Sequence, residues 1–324
     1  EALREEMARD ERVFIMGESI NYGLLGVTAG LRDEFGAERV RNAPISEASI
    51  VGAALGAALT GMRPVVEIMF ADFLFCAMDS IANEAAKWRY MIAGQASASL
   101  VIRTPQGSGL GMGCHHSQSP EWVFAHFPGL KVVAPSTPYD AKGLLKASIR
   151  DDNPVIFFEH KMLYRMKGPV PDGEYIIPLG KADVKREGSD ATIVATSLMV
   201  HRALEAAEEL AKEGISAEVI DPRTLSPLDK DAILESVRKT GRLIIAEEAC
   251  KTGGFGAEVA AMVAEEAIDA LDAPIRRVAA FDVPIPSGRL EEAVIPKAGD
   301  IANAVRAAIR AQRTNRPREA SRPS

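Results

Sequence analysis

Cysteine, clustered positive charge and long apolar runs are all scarce in this chain, and each scarcity removes a class of function. Only three cysteines occur, Cys76, Cys114 and Cys250, far apart and without C-x-x-C spacing, which argues against a disulfide framework or a cysteine-built zinc site. A reducing, cytoplasmic compartment is expected. The formal net charge is -7, and basic residues cluster only at the extreme C-terminus, so the positive surface that phosphate backbones require is missing and no nucleic-acid partner is expected. The most apolar stretch, Ile45 to Met62, is interrupted by Ser46, Glu47, Ser49 and Thr60, short of the roughly 20 apolar residues of a membrane span. It reads as a buried helix, with no membrane association expected. The chain also lacks a G-x-S-x-G elbow, an H-E-x-x-H helix, a G-K-[ST] phosphate loop and an acidic calcium loop, the signatures of several common enzyme and ion-binding classes. It opens at Glu1 rather than methionine, which leaves a preceding segment an open matter.

What is present is a balance of 47% hydrophobic and 26% charged residues over 324 positions. That is longer than the roughly 250 residues at which single cores stop growing, so two domains are expected. Strand-like and helix-like patterns alternate throughout, which predicts an α/β fold with parallel sheets. In the first half the strands are Val13 to Met16, Pro64 to Phe70, Ser99 to Arg103, Lys131 to Ala134 and Pro154 to Phe158, and the helices are Asn21 to Phe35, Glu47 to Gly61, Asp72 to Ala93 and Pro138 to Arg150. A Gly- and Pro-containing loop, Lys167 to Pro178, marks a boundary, giving domains 1–178 and 179–311. The second domain reads as strand Ala191 to Thr196, helix Val200 to Glu213, strand Ala217 to Ile220, a helix entered through Ser226 and Pro227, and strand Leu243 to Glu247. Residues 312–324 are polar and basic with no apolar period, as expected of a disordered tail.

Two features carry chemistry. Glu47 is the only ionisable side chain between Arg41 and Arg63. With Ser46 as N-cap it falls in a first helical turn, where the dipole favours an acid by about 0.3 to 1 kcal/mol. If the Ala/Gly-rich helix is fully buried, however, an unpartnered carboxylate costs several kcal/mol, more than the dipole returns, and a specific polar partner such as a cofactor ring nitrogen is expected. The second feature is the loop Thr104 to Pro120, with Gly107, Gly109, Gly111 and Gly113 preceding Cys114, His115 and His116. It follows a strand, where open α/β sheets place ligands, yet its spacing fits neither G-x-G-x-x-G nor a P-loop. Adjacent histidines on a mobile glycine loop suit proton transfer better than metal binding; an ordinary surface loop is the plain alternative. The later glycine stretch after Lys251 also fails the dinucleotide fingerprint at Val259 and reads as a tight turn. Both failures weigh against a nicotinamide-dependent dehydrogenase.

Several longer segments together resemble the β subunits of the pyruvate, branched-chain 2-oxoacid and acetoin dehydrogenase complexes. They include Ala43-Pro-Ile-Ser-Glu-Ala, Thr60-Gly-Met-Arg-Pro, Asn83-Glu-Ala-Ala-Lys, His116-Ser-Gln, Pro128-Gly-Leu-Lys-Val-Val, Asn153-Pro-Val-Ile-Phe-Phe-Glu and Thr252-Gly-Gly-Phe-Gly-Ala, within a match from Phe14 to Ile309. The resemblance implies a thiamin-diphosphate pyrimidine-binding fold followed by a transketolase C-terminal-type domain. It implies that Glu47 hydrogen-bonds the aminopyrimidine ring and promotes its imino form, that Phe73 stacks on that ring, and that Ile45 and Met69 line the pocket. It implies that His116 assists acyl transfer to lipoamide, and that backbone oxygens of Ser148, Ile149, Asp151 and Asn153 hold potassium.

The G-D-G motif through which this superfamily holds the diphosphate and Mg2+ is absent from the chain. The resemblance therefore implies an α subunit that supplies it, in an α2β2 heterotetramer working with a lipoyl-bearing dihydrolipoyl acyltransferase. The implied activity is oxidative decarboxylation of a 2-oxoacid. Thiamin-dependent acetoin cleavage is the neighbouring alternative, favoured by Phe157-Phe-Glu-His-Lys and by the segment from Met199, and a non-catalytic scaffold subunit is the alternative of another class.

Overall fold

The computed structural model describes residues 1–23 and 25–315, with side chains as far as Ala311. In chain order the strands are β1 (Val13–Glu18), β2 (Val40–Ala43), β3 (Arg63–Glu67), β4 (Val101–Gln106), β5 (Lys131–Val133), β6 (Val155–His160), β7 (Asp183–Arg186), β8 (Ala191–Ala195), β9 (Ala217–Asp221), β10 (Thr224–Ser226), β11 (Leu243–Cys250) and β12 (Arg276–Ala280). They form two sheets, ordered β10-β5-β6-β4-β3-β1-β2 and β12-β11-β8-β9-β7. Every pairing is parallel except at β10 and β7. The α/β reading therefore holds, and β4 and β8 are buried at every residue, as parallel strands covered on both faces must be. No described helix is long and apolar enough to cross a membrane.

The chain forms two compact units. One comprises Glu1–Lys181, Arg223–Leu228 and Pro284–Ala293; the other comprises Ala182–Pro222, Asp229–Val283 and Val294 onward. The break at 181 lies close to the boundary placed at 178, but two later segments return to the first unit. One supplies the antiparallel edge strand β10 beside β5, and the other closes on the glycine loop described below. The core of the first unit is built from Val13, Ile15, Val65, Val101, Val155 and Phe157 of the sheet with Leu3, Met7, Leu144 and Ile149 of the helices Ala2–Arg9 and Pro138–Arg150.

Several elements differ from the sequence reading for identifiable reasons. The helix expected over 21–35 is only Leu31–Phe35, because Gly23, Gly26 and Gly30 adopt φ of 59, 86 and 79° and keep the preceding stretch in turns. The stretch expected as one helix over 72–93 begins as a 3-10 turn, Ala71–Ala77, continues as a π-helical segment, Asp79–Ala85, and only then becomes α-helical, Ala86–Met91. Ser226 and Pro227 do not start a helix: Ser226 ends β10, and the helix Lys230–Thr240 is capped by Asp229, whose carboxylate accepts from Ala232 N at 3.4 Å. The last helix, Ala298–Asn315, runs four residues past Ala311; the remainder of the expected disordered tail, 316–324, lies outside the described residues.

The helix Glu47–Leu59 departs from expectation in its burial. Ile50, Val51, Ala54, Leu55 and Ala58 are buried, while Ala48, Ser49, Gly52, Ala53 and Gly56 lie exposed on the other face. A helix of such uniform small apolar character looks buried all round from composition alone. In this chain only one face is covered.

Beneath the loops of the first unit lies a buried ionic cluster. Arg103 on β4 is 1% exposed and donates to Glu67 on β3 at 2.7 Å and, through two nitrogens, to Glu159 on β6 at 2.7 and 2.6 Å. Tyr164 donates its hydroxyl to Glu159 at 2.7 Å. Burial pulls the guanidinium pKa down, but Glu159 and Glu67 outweigh it and raise the value well above normal. Burial, and then the Glu159 charge, likewise push the Tyr164 phenol far up. Removing only the cation strands two carboxylates. Arg103→Met is accordingly expected to cost about 3 to 5 kcal/mol, whereas apolar replacement of Arg103, Glu67 and Glu159 together restores most of that. Urea unfolding of the two variants checks both halves of the prediction.

Candidate active site

Three neighbouring strands deliver the residues of interest to one end of the larger sheet. Past β3 come the half-buried Met69 and Phe70, then the Ala71–Ala77 turn carrying Phe73. Past β4 comes the glycine loop with His116, and past β6 the short turn Lys161–Leu163. The helix that begins at Glu47 packs against the turn that carries Phe73, and Phe73 in turn meets His116.

His116 is held between two aromatic rings. Its imidazole stands edge-on to Phe70 at 4.8 Å and 85° and to Phe73 at 5.4 Å and 88°, while Phe70 and Phe73 meet each other at 6.1 Å and 76°. T-shaped contacts of this kind are favourable by about 0.5 to 1.5 kcal/mol each. His116 is half-buried and its neighbours His115 and Cys114 are exposed, so the two histidines do not share an environment. Cys76, Cys114 and Cys250 are all free.

The glycine loop is seated rather than free. Gly107, Gly109, Gly111 and Gly113 adopt φ of 86, 106, 68 and 79°, a region that side chains rarely enter. A Cβ on Gly107 would meet the His160 ring at 2.1 Å, and one on Gly109 would meet Met162 at 2.6 Å. Gly111 packs on Gly288 and Gly113 on Ser287, where the added atoms would lie at 3.1 and 2.5 Å. Backbone bonds join the same pieces: Gly107 N donates to Gln118 O at 3.1 Å and Gly288 N to Gly111 O at 3.0 Å. The buried Glu291 accepts from Gly111 N at 2.6 Å. The expectation of a mobile loop is therefore corrected: these glycines permit close backbone approach on two sides.

Glu47 is half-buried, and no hydrogen bond or ion pair engages its carboxylate among the described residues. Ser46 precedes the helix as expected, yet its hydroxyl donates to Ser49 Oγ at 2.8 Å instead of capping a backbone N–H. Ile45 is 73% exposed. The full desolvation penalty assumed for Glu47 does not apply to this chain by itself. What stands is a carboxylate without a partner among the described residues, at the start of a helix that packs against the Phe73 turn and has one uncovered face.

Polar atoms that the sequence reading missed lie at the base of the loop. Thr104 Oγ1, Gln106 Oε1, Ser117 Oγ and Ser119 Oγ are buried without a hydrogen-bond partner among the described residues, as is Asp72 Oδ2. Asp72 Oδ1 accepts from Gln118 Nε2 at 2.8 Å. Buried polar atoms are normally satisfied by protein, water or ligand, and no local motif in the sequence announces this cluster.

The turn 148–153 does not present an open cage of oxygens. The Ile149 and Asp151 carbonyls accept from Arg63 at 3.0 and 3.1 Å, and Ser148 donates its hydroxyl to Leu144 O at 2.7 Å. The Asp151 carboxylate pairs with Lys131 and accepts from Asn153 N at 2.9 Å. Charged side chains of the chain already hold this turn. In the second unit, Glu247 accepts from Gly256 N at 3.0 Å, so the start of the helix Phe255–Glu266 is occupied by the chain's own carboxylate, as a tight structural turn requires. A cavity of about 370 Å3 elsewhere in the first unit, bordered by Leu3, Lys142, Phe157, Glu159, His160 and Tyr164, contains none of Ile45, Glu47, Met69, Phe73 or His116.

Comparison with known proteins places these features in context. The family model for the transketolase pyrimidine binding domain matches residues 1–167, and that for the transketolase C-terminal domain matches residues 180–301. The chain is 52% identical to the 2-oxoisovalerate dehydrogenase subunit beta of Bacillus subtilis over 286 residues, 87% of this chain and 88% of the relative. It is 50% identical to an acetoin:2,6-dichlorophenolindophenol oxidoreductase subunit beta of Cupriavidus necator, covering 94% of each. It is 48% identical to the pyruvate dehydrogenase E1 component subunit beta of Bacillus subtilis, covering 94% and 95%. A split gene transketolase, described as an inactive beta4 tetramer, superposes with a TM-score of 0.80 at 26% identity over 96% of both chains.

Gly107→Ala tests whether the loop is seated. The strained φ and the collision with His160 together are expected to destabilise the unit by more than about 1 kcal/mol and to expose residues 107–119 to limited proteolysis. Wild-type resistance in that variant would show the loop to be free of the contact.

Proposed function

The chain belongs to the family of β subunits of the thiamin-dependent 2-oxoacid dehydrogenases, and on that premise we propose that it supplies half of an active site for oxidative decarboxylation of a 2-oxoacid, completed by an α subunit. The observation that carries this reading is the unpartnered Glu47 carboxylate, on the helix packed against the Phe73 turn, with His116 wedged between Phe70 and Phe73. A flat aminopyrimidine fits those residues: Glu47 offers the hydrogen-bond acceptor and proton exchanger, Phe73 the aromatic face, and Ile45 and Met69 apolar walls. When bound, thiamin diphosphate supplies a nucleophilic carbon and an electron sink for decarboxylation.

The residues of this chain then have separate tasks. Glu47 holds one end of the coenzyme and exchanges a proton with its ring. His116 stands where a proton can be passed during acyl transfer to lipoamide carried by a dihydrolipoyl acyltransferase. The diphosphate and its Mg2+ belong to the α subunit, since the chain has no G-D-G motif. The exposed small-residue face of the Glu47 helix suits close packing of another helix, and an α2β2 assembly covers it. Potassium at 148–153 is supported only by resemblance, because Arg63 and Lys131 already hold that turn. A cytoplasmic setting fits the three free cysteines.

Acetoin cleavage is the second reading, supported by 50% identity to an acetoin oxidoreductase subunit over 94% of both chains. Coexpression with an α subunit, followed by a panel of 2-oxoacids and acetoin, decides between them. Release of carbon dioxide from a 2-oxoacid is the expected result, and acetaldehyde from acetoin without carbon dioxide from any 2-oxoacid transfers the assignment. Inactivity of the assembled complex towards the whole panel favours the scaffold alternative.

Within the active assembly, Glu47→Gln is expected to lower turnover by about 100- to 10,000-fold with assembly unchanged; near-normal activity sinks the proposed site. His116→Ala is expected to slow transfer to lipoamide by at least about 100-fold, with a much smaller loss when a dye accepts the electrons. Equal losses with both acceptors reject the transfer role.

A further inference from the structure

The end of β6 and the turn that follows it touch the glycine loop with three successive residues. His160 packs on Gly107, Lys161 donates from its ammonium to the His116 carbonyl, and Met162 packs on Gly109. His160 is itself fixed, because its Nδ1 accepts from Met162 N at 3.2 Å. Lys161 is only 5% exposed, unusual for a lysine, and its ammonium lies 5.4 Å from the centroid of Phe70. Phe70 is the same ring that meets the His116 imidazole at 4.8 Å. The buried cation therefore reaches His116 by two routes: directly through the backbone carbonyl and indirectly through the ring that borders the imidazole.

We infer that Lys161 is the positioning residue for His116, fixing the histidine-bearing turn against Phe70 so that the imidazole keeps one place beside Phe73. This rests on the transfer role proposed for His116. Lys161 is not a catalytic residue in this account, since its ammonium is engaged by the loop. Its chemistry suits the task. An ammonium has three donors and no acceptor, so it can hold a carbonyl while facing an aromatic ring, and burial strengthens both contacts. The alternating glycines become intelligible in the same terms, because the loop must come close enough to the 160–162 turn for a lysine side chain to reach a backbone oxygen 45 positions earlier in the chain.

The inference is tested in the assembled α–β complex with Lys161→Met, which keeps the side-chain length, Lys161→Gln, which keeps a neutral donor, and Lys161→Arg, which keeps the charge. Amide hydrogen exchange over residues 107–119, measured without substrate, is expected to quicken by about tenfold or more in the Met variant and less in the Gln and Arg variants. Transfer to lipoamide is expected to fall by about 10- to 100-fold with little change in KM for the 2-oxoacid and a smaller loss with a dye acceptor. Unaltered exchange in Lys161→Met overturns the inference, as does Lys161→Arg behaving no better than Lys161→Met. If the Met variant does not assemble, Lys161→Gln is read instead, and wild-type exchange and transfer there overturn the inference equally. Because exchange needs no turnover, this result is distinguishable from failure of the transfer role, which His116→Ala reports separately.

Discussion

The arrangement of the candidate site depends on Arg103, a guanidinium enclosed in protein that ties three adjacent strands together. It pairs with Glu67 across the β3–β4 ladder, where the two residues are direct partners, and reaches Glu159, the partner of Pro105 across β4–β6. The loop after β3 bears Met69 and Phe73, the loop after β4 bears His116, and the turn after β6 bears Lys161. A slip of one residue in any of these strands would move a charge from this cluster to the opposite face of the sheet. Buried ion pairs are poor sources of net stability because desolvation offsets the attraction. What the cluster secures is register, and register sets where the three segments leave the sheet.

Above that fixed base, close approach takes over from charge. Four glycines at positive φ let the loop after β4 lie against the 160–162 turn on one side and against 287–291 on the other. Glycine raises the entropy of the unfolded chain and by itself loosens a loop; here its missing Cβ is the condition for packing. The same residue type thus serves order or disorder according to what it touches. Buried polar atoms at the loop base, including Thr104 Oγ1 and Ser117 Oγ, mark where the packing leaves hydrogen-bonding capacity over.

Local rules read some of this from the sequence and not the rest. The helix Pro138–Arg150 was legible to its last residue because Thr137 caps it, accepting from Asp140 N, and Pro138 occupies the first turn. The segment 21–35 misled because apolar spacing looked helical while three glycines decided the backbone. β2, β7, β10 and β12 were not read: they are the edge strands of the two sheets and three to five residues long, so their apolar signals are weak. Glu47 and His116 were singled out as candidates, one through its isolation in an apolar stretch and the other through its loop. Lys161 was not, since nothing within its own neighbourhood in the sequence reveals a contact with residue 116.

On the reading proposed above, the state of Glu47 suits a residue whose partner lies outside this chain. Half-buried and, among the described residues, unpaired, the carboxylate keeps part of its contact with water. The helix face beside it, Ala48, Ser49, Gly52, Ala53 and Gly56, is made of small residues, so another chain can approach it closely without first displacing long side chains. Covering that face removes water from the carboxylate and makes an unpartnered charge expensive. On that reading, a ring nitrogen placed against Glu47 would relieve that expense, and assembly would then be coupled to occupancy of the cleft. A glutamate paired within its own subunit would have no such need, and its bond to a coenzyme would compete with one it already had.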